Sequence, residues 1–314
     1  FTDLTGQAGV ALGIGDDAAL LNVTPGQQLV MAADTLVAGI HFPVAASARQ
    51  IATRALCVNL SDMAAMGAQP RWFTLALTLP REQANAEWLA EFSAGLAVIA
   101  NQYDVALVGG DTTSGPLTIS LTLLGETPVG AALTRAGAVP GDTVFVTGSL
   151  GDGAAALSLI SSKKAFNDDS DRLLQRFYCP QPQIQTGLKL RSVASACIDV
   201  SDGLMADLGH ICKASGVAAV IRAEQLPIAA DVRQLSADHA LSWALSGGDD
   251  YQLCFTISPG QLPMLERWIE QGDLDACRIG TIEKNIESID FVSVIDKDNN
   301  LLAIEKPGYN HFGH

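Results

Sequence analysis

Apolar residues in the first half of the chain recur with two different periods. Over residues 47–66 they return every three or four positions, which predicts one long helix. Ser47 lies where its hydroxyl can cap the first turn, and Gly67 lies where a helix can end. By contrast, residues 74–79 and 117–123 alternate apolar with polar, which predicts antiparallel strands with one buried face.

A second helix is predicted between those two strands. Residues 86–103 place large apolar side chains at helical spacing. They are Trp88, Phe92, Leu96, Ile99 and Tyr103. We interpret this stripe as core because large aromatic side chains at helical spacing usually pack inside a protein.

A Gly- and Pro-containing stretch at 134–143 interrupts the pattern, and a new strand-like run starts at residue 144. We therefore predict two domains, residues 1–137 and residues 138–314. The second domain has a predicted helix within 202–216, closed by Gly216. Its strand-like runs lie near 218–222, 253–257 and 289–295.

Charge narrows the possible partners of this 314-residue chain. With 19 Lys plus Arg against 34 Asp plus Glu, the formal net charge is −15. Such a field repels nucleic acid and anionic membrane, so we expect neither as a partner. An anionic substrate such as a nucleotide would therefore have to bring a cation with it.

Neither a membrane span nor a secretory signal is evident, so a cytoplasmic location is expected. The six cysteines are scattered singly and without C-x-x-C spacing, which is typical of reduced core thiols. They are Cys57, Cys179, Cys197, Cys212, Cys254 and Cys277.

Aspartates recur where apolar runs end. The segment LGIGDDAALL, residues 12–21, sets two of them side by side. Asp62 falls inside the helix predicted over 47–66, one turn beyond Asn59, where a carboxylate gains no capping role. Simpler structural interpretations stay open elsewhere: Ser201 or Asp202 could cap the following helix. The recurring aspartates are Asp16, Asp17, Asp34, Asp62, Asp111, Asp199, Asp202, Asp249 and Asp250.

If several of these carboxylates converge, their mutual repulsion costs stability unless cations neutralise it. Basic residues are scarce around them, and no cysteine or histidine array accompanies them. Clustered carboxylate oxygens favour a hard cation, Mg²⁺ or Mn²⁺, over zinc.

The usual nucleotide loops are missing. The chain has no G-x-x-x-x-G-K-[ST] sequence, and the glycine-rich residues 147–157 lack a lysine and the G-x-G-x-x-G spacing. That segment is either a tight turn or a phosphate contact. A phosphoryl-transfer enzyme of this kind would hold its nucleotide mainly through metal ions.

Eight motifs together resemble the thiamine-monophosphate kinases, which are related to the ATP enzymes that resemble aminoimidazole ribonucleotide synthetase. In order along nearly the whole chain they are GIGDDAAL, DTLVAGIHF, VNLSDMAAMGA, LVGGDTT, LTRAGAVPGD, IDVSDGLMADLGHI, LSGGDDYQL and GYNHF. The resemblance implies an α/β (α+β) fold of two domains. Its N-terminal mixed or antiparallel sheet, with helices, pairs across a homodimer, and its C-terminal domain is an α/β sandwich.

The resemblance also implies the activity: direct, Mg²⁺-assisted transfer of the γ-phosphoryl group of ATP to thiamine monophosphate. This forms thiamine diphosphate as the last step of its biosynthesis. Residues 1–137 would bind metal and ATP and form the dimer contact, and residues 138–314 would complete the ATP and substrate sites. Mn²⁺ could replace Mg²⁺.

Site residues follow by matching positions to the family motifs. The implied metal ligands are Asp17, Asp34, Asp62, Asp111, Asp199 and Asp202. Gly110, Asp111, Arg135 and Ser201 match nucleotide contacts; Arg135, Asp111 and Asp202 are the catalytic candidates. His41, Asp249 and Tyr309 match positions that hold thiamine monophosphate. From the residues alone, Arg135 could also be a surface arginine, His41 a loop histidine and Tyr309 a packing aromatic.

Two departures from the family pattern stand out. The usual Gly-Gly-Glu-Asp is GGDD here, which shortens the reach of Asp249. The chain also begins at Phe1, without the short segment expected before LGIGDD.

Two alternatives remain. One is another ATP-dependent synthetase of the same superfamily, although a selenophosphate synthetase would need an early reactive cysteine and none precedes Cys57. The other is a non-catalytic module that binds metal or nucleotide.

Overall fold

The computed structural model describes residues 9–162, 168–284, 291–304 and 308. The chain divides into two compact units. The first comprises Phe1–Met63 and Gly67–Ala132, and the second comprises Ala64–Met66 and Leu133–His314. No helix among the described residues is long and apolar enough to cross a membrane.

The first unit is a four-stranded mixed sheet with two long helices. Its elements are β1 (Val10–Leu12), β2 (Leu20–Leu21), β3 (Gln27–Val37), α1 (Ala48–Ala65), β4 (Gln69–Leu79), α2 (Ala86–Tyr103), β5 (Ala106–Ser114) and β6 (Thr118–Pro128). Strands β3-β6-β4-β5 form the sheet, and β1 and β2 form a separate antiparallel pair. Only β4 and β5 run parallel in the sheet, so the predicted mixed architecture is confirmed.

Helix α1 begins and ends with the signals read from the sequence. The Ser47 hydroxyl accepts a hydrogen bond from the Gln50 N–H (3.2 Å), and the Gln50 side chain accepts one from the Ser47 N–H (2.9 Å). This reciprocal pair is a capping box. At the other end, Gly67 has φ 59° and the Ala68 N–H reaches the Met63 carbonyl at 2.8 Å, which closes the helix as a Schellman motif.

The remaining elements predicted for this unit are also confirmed. Strands β4 and β6 pair antiparallel, with Leu75 opposite Leu121. Helix α2 buries Phe92, Leu96 and Ile99, as expected of a core stripe. Its Gly95 allows close packing, because a Cβ there would lie 2.8 Å from the Arg49 carbonyl oxygen of α1.

The second unit is a six-stranded sheet with helices. Its elements are β7 (Thr143–Thr147), α3 (Asp152–Ser162), α4 (Asp168–Tyr178), α5 (Ile184–Leu190), β8 (Ala194–Asp199), α6 (Leu204–Ser215), β9 (Val217–Arg222), α7 (Ala230–Leu235), α8 (Ala237–Ser246), β10 (Leu253–Ile257), α9 (Leu262–Glu270), β11 (Ala276–Lys284) and β12 (Val292–Ile295). The strand order is β12-β9-β11-β7-β10-β8. Only β12 and β9 pair in parallel.

Predictions for the second unit agree with these elements. Helix α6 ends at Gly216, which has φ 69° and donates its N–H to the Cys212 carbonyl. Strands β9 and β10 match the predicted runs, and β12 lies within the predicted run 289–295. Helix α6 packs on the sheet, and α3, α4, α7 and α8 form a smaller apolar cluster.

Three cysteines of this unit are buried thiols, as the sequence predicted. Cys197, Cys212 and Cys254 lie in strands and a helix of the core, each no more than 2% exposed. Burial raises the pKa of the Cys212 thiol to about 12 and raises those of the other two as well. These thiols are therefore core-filling groups rather than nucleophiles.

Candidate functional site

An acidic pocket lies within the first unit. It has a volume of about 350 Å³, and its lining includes Asp16, Asp17, Gly110 and Asp111. All three carboxylates are exposed, and two of them are oriented by local hydrogen bonds: Asp16 accepts the Asp17 N–H at 2.8 Å, and Asp111 accepts the Thr112 N–H at 2.9 Å. The pocket thus brings together three of the positions predicted for the site, Asp17, Gly110 and Asp111.

Strand pairing explains the glycine before Asp111. Gly110 has φ 152°, and a Cβ there would lie 1.9 Å from the Leu75 carbonyl oxygen of β4. A side chain at this position is therefore incompatible with the pairing of β4 and β5. Strand β5 is buried through Val108 and exposed from Gly110 onward, so Asp111 is the first charged residue on its exposed end.

Two further predicted ligands lie near the contact between β3 and α1. Asp34 and Asp62 are both half-buried. Asn59, fully buried in α1, accepts the Asp34 N–H at 3.2 Å and donates to the Ala55 carbonyl at 2.9 Å. Asn59 therefore fixes the strand that carries Asp34 to the helix turn just before Asp62. The sequence had indicated Asn59 only as the position one turn before Asp62.

His41 lies in a tight turn after β3. Its Nδ1 accepts the Val37 N–H at 3.0 Å, so a neutral ring carries its proton on Nε2. The His41 carbonyl accepts from Nε of Arg54 at 2.9 Å, and Arg54 is only 2% exposed. The histidine is thus held on both its ring and its backbone, which gives Nε2–H a defined direction.

In the second unit, the loop after β8 is held by a residue that the sequence did not single out. One carboxylate oxygen of Asp207 accepts the N–H groups of Ser201 (3.0 Å), Asp202 (3.0 Å) and Gly203 (3.1 Å). The helix begins after Gly203 with no side-chain cap. The interpretation of Ser201 or Asp202 as the cap of α6 is therefore wrong, because Asp207 binds this backbone from inside the first turns.

Three carboxylates interact around this loop. Burial, followed by the charges of Asp199 and Asp202, raises the pKa of Asp207 to about 7, against the opposing effect of its backbone hydrogen bonds. Asp199 is itself only 7% exposed. This second acidic region therefore concentrates negative charge where two metal ligands were predicted.

The GGDD segment lies directly against the same loop. The Asp249 N–H donates to the Ser201 carbonyl at 2.9 Å, and the Tyr251 N–H donates to the Val200 carbonyl at 2.8 Å. Gly248 permits this approach, since a Cβ there would lie 2.4 Å from the Ser201 oxygen. The predicted substrate residue Asp249 is thus brought beside the predicted nucleotide residue Ser201.

Arg135 lies on an exposed segment with a well-defined backbone. The Ser215 hydroxyl accepts the Gly137 N–H at 3.1 Å and donates to the Arg135 carbonyl at 3.3 Å. The Cys197 N–H donates to the Thr134 carbonyl at 2.9 Å, which attaches the segment to β8. Its backbone is fixed while its side chain is exposed.

For the glycine-rich residues 147–157 the structure favours a tight turn. The N–H groups of Gly151 and Gly153, which a phosphate would need, both donate to the Asp250 carboxylate. The turn is therefore stabilised from within the protein.

Two points about the predicted site residues remain, the position of Tyr309 and the grouping of possible metal ligands. Tyr309 lies outside the described residues; its neighbour Gly308 packs closely on α6, where a Cβ would lie 2.6 Å from that of Ala206. Across residues 9–162, 168–284 and 291–304, no three His, Cys, Asp or Glu side chains form a group that could hold a metal ion by themselves. Any metal there would need oxygen ligands from water or substrate as well.

Both units of the chain match known protein families. Residues 15–127 match the N-terminal domain of the AIR synthase related proteins, and residues 139–290 match their C-terminal domain. The thiamine-monophosphate kinase of Salmonella typhimurium is 46% identical over 306 residues, covering 96% of this chain and 92% of that protein.

Solved structures agree with these sequence matches. The crystal structure of the thiamine-monophosphate kinase from Stenotrophomonas maltophilia K279a matches with a TM-score of 0.86 and 45% identity, covering 94% of this chain and 93% of that one. AaThiL complexed with AMPPCP and TMP matches with a TM-score of 0.81 and 32% identity, covering 95% and 92%. The chain belongs to the thiamine-monophosphate kinase family, within the AIR synthase related proteins.

Proposed function

We propose that this chain phosphorylates thiamine monophosphate with ATP, forming thiamine diphosphate and ADP. The observation that carries the proposal is a near-full-length match to thiamine-monophosphate kinases at up to 46% identity. AaThiL, which shares the fold over 95% of this chain, binds an ATP analogue together with TMP. The exposed carboxylates of the pocket in the first unit suit a nucleotide that arrives with cations.

Mg²⁺ is the cofactor that the donor set fits best. The described lining of the 350 Å³ pocket offers carboxylate and backbone oxygens and contains no Lys, Arg, Cys or His. Mg²⁺ keeps several waters and usually binds one or two carboxylates together with substrate phosphates, so the absence of a complete protein cage is no obstacle. We assign the ligands to Asp17, Asp34, Asp62, Asp111, Asp199 and Asp202, and expect Mn²⁺ to substitute.

Cations held by these aspartates would supply positive charge that neutralises the transferred group. The chain's own residues then have to align two anions. The attacking phosphate of thiamine monophosphate has a second pKa of about 6, so it is mostly ionised at neutral pH and needs no strong base. Exposed on a fixed backbone, Arg135 supplies a positive clamp for phosphate oxygens.

Gly110, Asp111 and Ser201 complete the nucleotide contacts in this proposal, and Asp111 and Asp202 join Arg135 as catalytic residues. His41 is assigned to the binding of thiamine monophosphate. Asp249 carries a negative charge, so it suits the amino or cationic part of thiamine better than the phosphate. We assign Tyr309 to the same substrate.

We also propose a division of labour and a homodimer. Residues 1–137 contribute metal and ATP ligands and the subunit contact, and residues 138–314 complete the ATP and substrate sites. Strand β3 is an edge of its sheet and exposes Leu29 (48%) and Met31 (69%), a combination suited to contact with a second copy. Because the reaction consumes ATP, we place it in the cytoplasm.

A direct assay tests the function. Purified protein is mixed with ATP, Mg²⁺ and thiamine monophosphate, and the products are separated by chromatography. We expect thiamine diphosphate and ADP in equal amounts, with no product when EDTA is added or when free thiamine replaces the monophosphate. ATP binding without ADP formation would favour the non-catalytic alternative, and ADP formation with a different phosphate acceptor would favour another synthetase.

A further inference from the structure

The second aspartate of the GGDD segment has no role in the function proposed above. Asp250 is only 7% exposed, yet no arginine or lysine side chain of the described residues pairs with it. Its partners are backbone groups about a hundred residues earlier in the chain. Its Oδ2 accepts the Gly151 N–H at 2.8 Å, and its Oδ1 accepts the Gly153 N–H at 3.1 Å.

These two hydrogen bonds join the GGDD segment to the start of helix α3. Helix α3 begins at Asp152, between the two donors, and the first N–H groups of a helix have no partner within it. A buried carboxylate that accepts one N–H with each oxygen satisfies two of these groups and also suits the positive end of the helix dipole. Both oxygens are occupied, so the attachment is rigid.

Gly153, which Asp250 binds, packs directly against Asp249. A Cβ on Gly153 would lie 2.5 Å from the Asp249 carbonyl oxygen and 2.6 Å from the Asp249 Cβ. By binding the Gly153 N–H, Asp250 therefore keeps the start of α3 packed against Asp249, the residue assigned to the substrate.

The backbone of Asp249 needs such support. Asp249 has φ 61° and Tyr251 has φ 51°, so left-handed non-glycine residues flank Asp250 on both sides. Residues with a Cβ adopt this conformation only when their surroundings hold them there. The Ser201 and Val200 carbonyls hold one side of the segment through backbone hydrogen bonds, and Asp250 holds the other.

Tyr251 fixes the side chain of Asp249. The Tyr251 hydroxyl donates to Oδ1 of Asp249 at 3.0 Å. This bond restricts rotation of a carboxylate that is shorter by one methylene than the glutamate usual in the family. Backbone and side chain of Asp249 are thus each set by a neighbouring residue.

We propose that Asp250 and Tyr251 are positioning residues for thiamine monophosphate, which set the backbone and the carboxylate of Asp249 without touching the substrate themselves. The inference rests on the function proposed above. It predicts a specific kinetic signature, because an error in placing Asp249 weakens substrate binding while the acidic pocket near Asp17 and Asp111 stays intact.

Two isosteric variants separate positioning from general stability. Asp250→Asn keeps the shape but replaces one acceptor oxygen by an NH₂ donor, which faces a backbone N–H. Tyr251→Phe removes only the hydroxyl that contacts Asp249. Asp298→Asn, at an exposed turn after β12, is the matched control for the first change. For each, KM for thiamine monophosphate and KM for ATP are measured, with amide hydrogen exchange over residues 148–154.

We expect Asp250→Asn and Tyr251→Phe each to raise KM for thiamine monophosphate by about 10-fold, the effect of one hydrogen bond to a charged group. KM for ATP should stay within about 2-fold of the wild-type value. Exchange over residues 148–154 should accelerate only in Asp250→Asn. The Asp298→Asn control should match the wild type throughout.

Equal changes in both KM values, or no change in Tyr251→Phe, would overturn the inference, and so would unaltered exchange in Asp250→Asn. Should Asp250→Asn fail to fold, Tyr251→Phe alone decides through the two KM values. If the wild type forms no thiamine diphosphate, the proposed function fails first. Calorimetric binding of thiamine monophosphate to the same variants then replaces KM, and equal affinities would reject positioning too.

Discussion

At the scale of single residues, the exposed and buried aspartates of this chain have different functions. Asp111 is exposed in a pocket, with one local backbone hydrogen bond. Asp207 and Asp250 are buried and bind the backbone of loops that carry proposed site residues. The exposed aspartates are available to ligands, and the buried aspartates fix the backbone that carries the site residues.

Asp111→Asn should abolish most activity without weakening the fold. The change removes a charge from the proposed metal site, and we expect kcat to fall by about 100-fold or more. Because the side chain is exposed, metal-free thermal stability should be equal or slightly higher. Calorimetry in EDTA, alongside the kinase assay, checks both parts. A large loss of metal-free stability would assign Asp111 a structural role instead.

Asp207→Asn should keep the loop intact, in contrast to Asp250→Asn. All three N–H groups converge on one oxygen of Asp207, and asparagine retains one such acceptor. Asp207→Ala removes this acceptor from the three N–H groups and should lower the free energy of unfolding by about 1–3 kcal/mol. Urea unfolding of the metal-free variants makes the comparison.

Wild-type protein and Asp207→Asn should also differ in how their stability depends on pH. The folded-state pKa of Asp207 is raised to about 7 from an ordinary value of 3.8, so the folded protein favours the protonated form. Wild-type stability should therefore fall as pH rises from about 4 through 7. In Asp207→Asn this loss should be absent, which gives the variant an advantage of about 4 kcal/mol at pH 8 and none at pH 4. An advantage that grows toward low pH would contradict this assignment.

At the scale of elements, one arginine joins three helices of the second unit. Arg172 of α4 makes hydrogen bonds of 2.8 and 2.9 Å to Asp152 of α3 and also pairs with Asp231 of α7. The two aspartate side chains are only 5% and 11% exposed. Removing the arginine would leave both buried charges without this partner.

Because the Arg172 side chain is itself 36% exposed, water screens these pairs, and Arg172→Met should destabilise the protein by about 1–3 kcal/mol. Arg176→Met is the matched control: its Nε lies 3.8 Å from Asp152, and its loss should cost under about 1 kcal/mol. The midpoints of urea unfolding compare the two variants. Equal effects would mean that the helices are joined mainly by their apolar cluster.

Helices and strands whose apolar residues recur at regular spacing were predictable from the sequence, and the others were not. The Ser47 cap of α1 and the alternation in β4 and β6 are local signals, and all three elements formed as expected. Strand β11 was missed because a shift in register between Arg278 and Gly280 interrupts its alternation. Strands β1 and β2 have three and two residues, too few to show any period.

At the scale of the whole molecule, the order of motifs along the chain identified the family, whereas contacts distant in sequence remained hidden. Asp250 joins groups 97 and 99 residues away, which no local pattern reveals. A signal for Asp207 did exist: it lies three residues after Leu204 and four before Ile211, on the apolar face of α6. A charged residue on such a face needs a polar partner.

The proposed homodimer makes a prediction at this scale. Met31→Lys, on the exposed edge strand β3, should shift the protein from dimer to monomer in sedimentation velocity, because a charge opposes burial of that edge. Val98→Lys, at an exposed position of α2, is the control and should leave the dimer unchanged. A dimer that persists in Met31→Lys would place the subunit contact elsewhere.

The close approach of Gly110 to Leu75 also affects how tolerance to mutation would be interpreted. Every substitution at Gly110 introduces a Cβ that must displace the neighbouring strand, whatever its polarity or size. In a saturation screen for kinase activity this position would therefore score as intolerant for a structural reason, in addition to the nucleotide contact assigned to it above. Only a parallel screen for protein abundance would reveal the difference: Gly110 variants would disappear from both screens, and Asp111 variants only from the first.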